Sequence, residues 1–225
     1  MLINLKFDNL SIEDNNSKKL LITFGGIRQG MGMPVYEFYN SLKDLNSDKV
    51  YVKDINQAWY HKGINKEVKN IETLKQVLHE IIKRKSYDNV VFIGNSMGGY
   101  AAILFGVLLH VDSVIAFSPQ TFINKVNRLW YKDERWTDEI SKIYINNNFQ
   151  KKFYNLKTLI KRNKSLTQID IFYSTNDKLD RIHSERLKNN KQIDLHPYKI
   201  GNHNLIKVLR DEGTLVEIIR NRIEK

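Results

Sequence analysis

The chain has 225 residues, 41% of them apolar and 27% charged, a size and balance that fit one globular domain over 1–225 rather than a disordered, fibrous or membrane-embedded chain. It has no cysteine, so disulfides, thiolate metal sites and cysteine nucleophiles are excluded and any chemistry falls to oxygen and nitrogen groups. A net charge of +11 reads first as a solvated basic face, with an anionic glycan, phosphorylated donor or membrane surface as the alternative through long-range attraction.

Residues 1–8 alternate apolar and polar side chains, which predicts a strand rather than the basic and then continuously apolar start of an export signal. No run approaches the roughly 18 apolar residues of a bilayer span, so a cytoplasmic location without a transmembrane segment is expected. Leu20 to Phe24 predicts the next strand. It ends at Gly25-Gly26-Ile27-Arg28, where two glycines let a backbone approach a ligand closely. The wider run to Gly32 holds neither G-x-G-x-x-G nor G-x-x-x-x-G-K-[ST], which disfavours a nucleotide cradle. Val50 to Val52 predicts a further strand, followed by a loop from Asp54 in which Trp59 and Tyr60 offer flat surfaces to a sugar or acyl group. Val68, Ile71, Leu74, Leu78, Ile81 and Ile82 then recur at helical spacing, predicting an amphipathic helix against the sheet.

Val90 to Ile93 reads as a buried strand and Tyr100 to Leu109 as a helix with almost no polar face. Between them lies Gly94-Asn95-Ser96-Met97-Gly98. A serine hydroxyl is a poor nucleophile until a base takes its proton and donors stabilise the oxyanion it creates. A tight strand-to-helix turn lifts the serine oxygen above the sheet edge, flanking glycines keep side chains out of the crowded contact, and the helix N-terminus favours negative charge. Ser96 is therefore the candidate nucleophile. The amide of Met97 is one candidate oxyanion donor, and the amide of Gly26 or Ile27 the second.

Ser113 to Phe117 predicts another strand, with Ser118-Pro119-Gln120 just beyond its end. Residues 121–165 break the strand–helix rhythm, with eleven Lys or Arg against four acids and eight aromatic residues, and are expected to form a basic, aromatic helical insertion. After the predicted strand Ile169 to Tyr173 come two aspartates. Asp177, nearer the strand end, is the candidate triad acid; Asp180 is the alternative, read as a cap of the next helix. Ile193 to Tyr198 is the last predicted strand, and His203 in the loop after it is the candidate base. His61, His79, His110 and His183 are wrongly placed for that role, and His196 lies within the strand. The final helical pattern is interrupted at Gly213. No H-E-x-x-H pair, Asp-rich loop or histidine cluster suggests a metal site.

With Gly94 to Gly99, Asp177 and His203 in this order, the chain resembles the α/β-hydrolase superfamily over nearly its whole length. The resemblance implies an α/β fold with a mainly parallel central sheet flanked by helices and a helical insertion between the strands preceding residue 119 and following residue 167. Gly25-Gly26, Asp54 with Trp59-Tyr60, Gly94 through Tyr100 and Phe117 through Gln120 are similar to a bacterial branch found with surface-polysaccharide and glycan-modifying enzymes. Members of that group are similar to esterases, and some resemble capsule O-acetyltransferases that move an acetyl group onto a sugar hydroxyl. The expected activity is hydrolysis of a carboxylic ester, without a cofactor, on a small acyl ester or acylated glycan. Gly25, Arg28, Trp59, Tyr60 and Gln120 are the expected substrate contacts. One alternative is O-acetyl transfer from acetyl-CoA to a bacterial surface polysaccharide, with the basic insertion holding an anionic acceptor. Another is a noncatalytic hydrolase-fold component of a glycan or secretion assembly. No nucleic-acid motif accompanies the charge, so nucleic acid is not an expected partner. The insertion is too polar to resemble a lipase lid.

Overall fold

The strand-length apolar runs assemble into one seven-stranded sheet in a computed structural model that describes residues 9–27, 36–145 and 148–224. The strands are β1 (Leu10–Glu13), β2 (Lys19–Phe24), β3 (Asp48–Val52), β4 (Asn89–Asn95), β5 (Ser113–Phe117), β6 (Gln168–Ser174) and β7 (Ile193–Tyr198), in spatial order β1-β3-β2-β4-β5-β6-β7. β1 runs antiparallel to β3, and every other neighbouring pair is parallel. Six of the predicted strands are present with their bounds extended by a residue or two at most. The strand predicted over residues 1–8 lies outside the described residues. β1 was not foreseen: it is a four-residue edge strand in which only Leu10 is buried, too short for a periodic signal.

Strand alternation sorts the apolar side chains into two cores, one on each face. Ile22, Phe24, Val50, Phe92, Val114 and Ala116 pack with α2 (Ile71–Lys83) and α3 (Met97–Leu109). Their chain neighbours Leu21, Tyr51, Val91, Ile93, Ile115 and Phe117 pack on the other face with α1 (Tyr39–Leu42), α8 (Leu205–Asp211) and α9 (Thr214–Ile223). α2 starts at a reciprocal cap: the Asn70 side chain accepts from the Thr73 amide, and the Thr73 hydroxyl accepts from the Asn70 amide. α3 is buried from Met97 to Val107, as its lack of a polar face requires. α8 and α9 are separated at Gly213, whose φ of +80° supplies the predicted break.

Between β5 and β6 the chain forms the expected insertion: α4 (Lys125–Tyr131), α5 (Thr137–Tyr144), a 3-10 turn (Asn148–Phe153) and α6 (Leu156–Asn163). Ile140, Ile143, Phe153, Leu156 and Ile160 root it in the core beside α3. His61 adds a polar strut beneath it, bridging Gln150 at 2.8 Å and the Tyr100 hydroxyl at 2.9 Å. Burial pulls the His61 pKa down to about 3, so this strut is neutral. α4 differs from its neighbours in burying no residue. Its Val126, Leu129 and Trp130 share one face and stand in solvent, Trp130 with 80% of its surface exposed. Among the described residues no helix is long and apolar enough to cross a membrane.

Candidate active site

Ser96 occupies the turn between β4 and α3 with φ at +53° and ψ at −115°, a strained conformation for a residue with a side chain. The turn is held by the Ser96 amide donating to the Phe117 carbonyl at 2.8 Å and by the Tyr100 amide donating to the Ser96 carbonyl at 3.0 Å. A Cβ on Gly94 would overlap the Gly98 carbonyl, and one on Gly98 would overlap the Phe24 carbonyl. Both glycines of the motif are thus required by the close approach of strand, turn and helix. Met97 is the first residue of α3, where a backbone amide has no carbonyl partner within its own helix.

His203 sits in a short 3-10 turn (Asn202–Asn204) between β7 and α8. Its Nε2 lies 3.0 Å from Ser96 Oγ, and its Nδ1 lies 2.8 and 2.9 Å from the two carboxylate oxygens of Asp180. The tautomer that satisfies both sides carries its proton on Nδ1, donates to Asp180 and accepts from the serine hydroxyl. Asp180 is buried. Burial works to raise its pKa, but the His203 hydrogen bond and the His203 and Arg135 charges outweigh it and hold the carboxyl below the usual carboxylate range.

The two aspartates stand the other way round from the sequence reading: Asp180 contacts His203 and Asp177 does the capping. Asp177, the expected acid, is the N-cap of α7 (Lys178–Glu185) and accepts from the amides of Leu179 at 3.0 Å and Asp180 at 2.9 Å. Asp180, read as the cap, lies in the first turn of that helix and faces His203. The reason is local: the helix begins three residues earlier than a cap at Asp180 would allow, so Asp177 is used by the orphan amides of its first turn. Each of Asp177, Asp180 and His203 offers an atom within 4.8 Å of the others, the one such acidic group among the described residues. The His203 nitrogens in it are already committed to Asp180 and Ser96.

The loop after β2 also differs from expectation. The Gly26 amide donates at 2.7 Å to Glu37 Oε2, while Glu37 Oε1 accepts from the Asn95 side chain at 3.2 Å. The Gly26 amide, one of the two loop amides expected as an oxyanion donor, is thereby occupied. Glu37 ties this loop to the serine turn; burial raises its pKa, and the Gly26 and Asn95 hydrogen bonds pull it back. Gly25 is likewise occupied, its amide donating to the Val52 carbonyl at 2.9 Å and its carbonyl accepting from the Tyr60 hydroxyl at 3.0 Å. Arg28 lies outside the described residues.

Trp59 and Tyr60, expected to face a ligand, are fully buried core residues. Asp54 organises their loop, with one oxygen accepting from the Asn56 amide at 2.9 Å and the other from the amides of Ala58 at 2.7 Å and Tyr60 at 2.8 Å. Burial pushes the Asp54 pKa up to about 6 against the pull of those amides, still low enough for the carboxylate to be ionised at pH 7.5. Asp54→Asn puts an NH2 group against amide donors whichever way it turns. It is expected to cost about 1 to 3 kcal/mol in stability at pH 7.5, measured by urea unfolding. The Gln120 backbone amide donates to the Ser96 carbonyl at 3.5 Å, and its buried side-chain oxygen has no partner among the described residues.

Glu37 and Arg135 are contacts that the sequence did not disclose, because both reach the site from irregular segments without a motif. No family model matches the sequence, and no curated protein matches it either. Solved structures do match. The capsule O-acetyltransferase of Neisseria meningitidis serogroup A aligns at 19% identity over 89% of this chain and 88% of that chain, with a TM-score of 0.66. A variant of that enzyme is known in complex with CoA. The Glycosylation Associate Protein complex of Streptococcus agalactiae aligns at 18% identity over 94% of this chain and 43% of that chain, with a TM-score of 0.67. Acetyl xylan esterase 1 of a Thermoanaerobacterium species aligns at 14% identity over 89% of this chain and 74% of that chain, with a TM-score of 0.57. The sheet order, the turn at Ser96 and these similarities together establish that the chain has the α/β-hydrolase fold.

Proposed function

We propose that the protein is a serine hydrolase that cleaves a carboxylic ester through Ser96, His203 and Asp180. The observation that carries this reading is the unbroken chain of contacts from Ser96 Oγ to His203 at 3.0 Å and from His203 to Asp180 at 2.8 Å. Ser96 Oγ attacks the ester carbonyl while His203 Nε2 takes its proton, and the amides of Met97 and Ile27 receive the oxyanion. Collapse of the tetrahedral adduct breaks the ester bond, and His203 returns the proton to the departing alcohol. Water, deprotonated by His203, then attacks the acyl-enzyme, releases the carboxylic acid and restores the Ser96 hydroxyl. Asp180 orients His203 and stabilises the imidazolium formed in each half-reaction. The test is labelling with a fluorophosphonate probe followed by peptide mapping. Modification at Ser96 is expected; folded protein whose Ser96 stays unlabelled would sink the reading.

A second reading keeps the acyl-enzyme and replaces water by a glycan hydroxyl, with acetyl-CoA as donor and an anionic surface polysaccharide as acceptor. It is favoured by the basic insertion, where the exposed Trp130 offers a flat face for a sugar among lysines and arginines. The acetyltransferase and glycosylation neighbours are compatible with it at the level of fold. Product analysis separates the two: transfer requires an acetylated polysaccharide formed at the expense of free acetate, whereas release of acetate unchanged by every acceptor supports hydrolysis. The Ser96 to His203 contact argues against a noncatalytic role.

A further inference from the structure

Arg135 lies in the turn between α4 and α5 of the insertion, 45 residues from the aspartate it reaches, and donates from Nη1 to Asp180 Oδ1 at 2.9 Å. Its Nε donates to Asp133 Oδ1 at 3.1 Å. Asp133 is buried and accepts through Oδ2 from His183 Nε2 at 2.9 Å, while His183 Nδ1 accepts from the Thr121 amide at 2.9 Å. This arrangement fixes His183 as a neutral imidazole with its proton on Nε2. Burial lowers its pKa to about 4, despite the Asp133 hydrogen bond. The guanidinium is therefore the cation shared by two buried carboxylates, Asp133 and Asp180. The backbone of the same turn is clamped as well, with Arg128 Nη1 donating to the Arg135 carbonyl at 2.8 Å.

We infer that Arg135 is a positioning residue of the triad, holding the Asp180 carboxylate ionised and in the orientation that His203 needs, so that the insertion is part of the catalytic apparatus. The inference rests on the serine hydrolase reading above. Two buried carboxylates with no cation would favour protonation of one of them, and a protonated or rotated Asp180 would not hold the Nδ1–H of His203. A bidentate fork suits this task, because one planar group reaches both carboxylates at fixed geometry. The charged or titratable groups around Asp180 are His203, Arg135 and Asp177, with Asp133 and His183 behind the guanidinium. Among the described residues the hydrogen bonds of the Arg135 side chain go to Asp133 and Asp180 and none to Ser96, so its link to the serine runs through Asp180.

The experiment compares wild type, Arg135→Met and Arg135→Lys as full-length proteins, with folding checked by circular dichroism and thermal melts. Arg135→Met is expected to lower kcat by about 10- to 100-fold, the scale of one lost charge-assisted hydrogen bond, with KM changed by less than about threefold. Removing the cation makes the Asp180 carboxylate easier to protonate, and because turnover needs it ionised the acid limb of kcat/KM should move up by about one pH unit. Arg135→Lys, which keeps the charge without the fork, should recover part of the rate and return the limb towards wild type. A folded Arg135→Met enzyme with wild-type kcat and pH profile overturns the inference. So does a loss that Arg135→Lys shares in full with the acid limb unmoved, since that is the behaviour of a purely structural contact. The proton resonance of His203 Nδ1–H gives a readout independent of turnover. If wild type neither hydrolyses esters nor labels at Ser96, the hydrolase reading fails, while displacement of that resonance in Arg135→Met still supports the link through Asp180 and an identical resonance refutes it.

Discussion

Ser96→Ala is expected to reduce ester turnover by about 10⁵- to 10⁶-fold while leaving the melting temperature within a few degrees of wild type. The loss is large because the substitution removes the attacking oxygen itself: His203 Nε2 is aimed at Ser96 Oγ, and both flanking glycines serve the geometry of this one residue. The fold is spared because the turn is held by backbone bonds from Ser96 and Tyr100, which alanine retains. The positive φ at Ser96 is as tolerable to alanine as to serine. His203→Ala should fall to nearly the same level, and the double variant no further. Serine and histidine act as a unit, so the second deletion removes a partner that has nothing left to activate. Single-turnover kinetics on an activated ester measure all three. Additive losses in the double variant would mean that His203 acts on something other than the Ser96 proton. The residual rate of Ser96→Ala reports what the oxyanion amides contribute without a nucleophile.

The sheet was legible because its central strands are buried on both faces and read as continuous β-branched and aromatic runs, from Leu20 to Phe24 through Ile169 to Tyr173. Ser96 and His203 were legible for a related reason: each is pinned by chain order to a strand end, and Gly94 and Gly98 mark the turn through a steric need that only glycine meets. Contacts that depend on loop trajectory were not. Trp59 and Tyr60 follow a strand end and look like pocket walls, but the Asp54 carboxylate coils their loop inward and buries both rings. Glu37 reaches the amide of Gly26 from eleven residues away, and Arg135 reaches Asp180 from forty-five. Neither has periodicity or a motif to announce it. The insertion was visible in its charge, whereas the contact it makes with Asp180 comes from one guanidinium among eleven Lys and Arg.

The choice between the two aspartates is the second large effect. Asp180→Asn is expected to lower kcat by about 10⁴-fold, because an amide NH2 facing His203 Nδ1 favours the wrong tautomer and leaves Nε2 protonated towards the serine. It also removes one anion from beside Arg135, whose guanidinium is then left with Asp133 alone. Asp177→Asn should be nearly silent in rate, within about threefold of wild type, since asparagine caps a helix about as well as aspartate and the amides of Leu179 and Asp180 keep an acceptor. Asp177→Ala removes that acceptor and should cost about 1 kcal/mol in stability, with kcat affected only as far as the first turn of α7 loosens around Asp180. Steady-state kinetics paired with urea unfolding separate the two positions: rate loss at 180 with stability loss at 177 is the expected pattern. A collapse of kcat in Asp177→Asn with Asp180→Asn unimpaired would return the acid to Asp177. That outcome would require α7 to unwind its first turn when substrate is bound, since Asp177 is otherwise held by the two amides it caps.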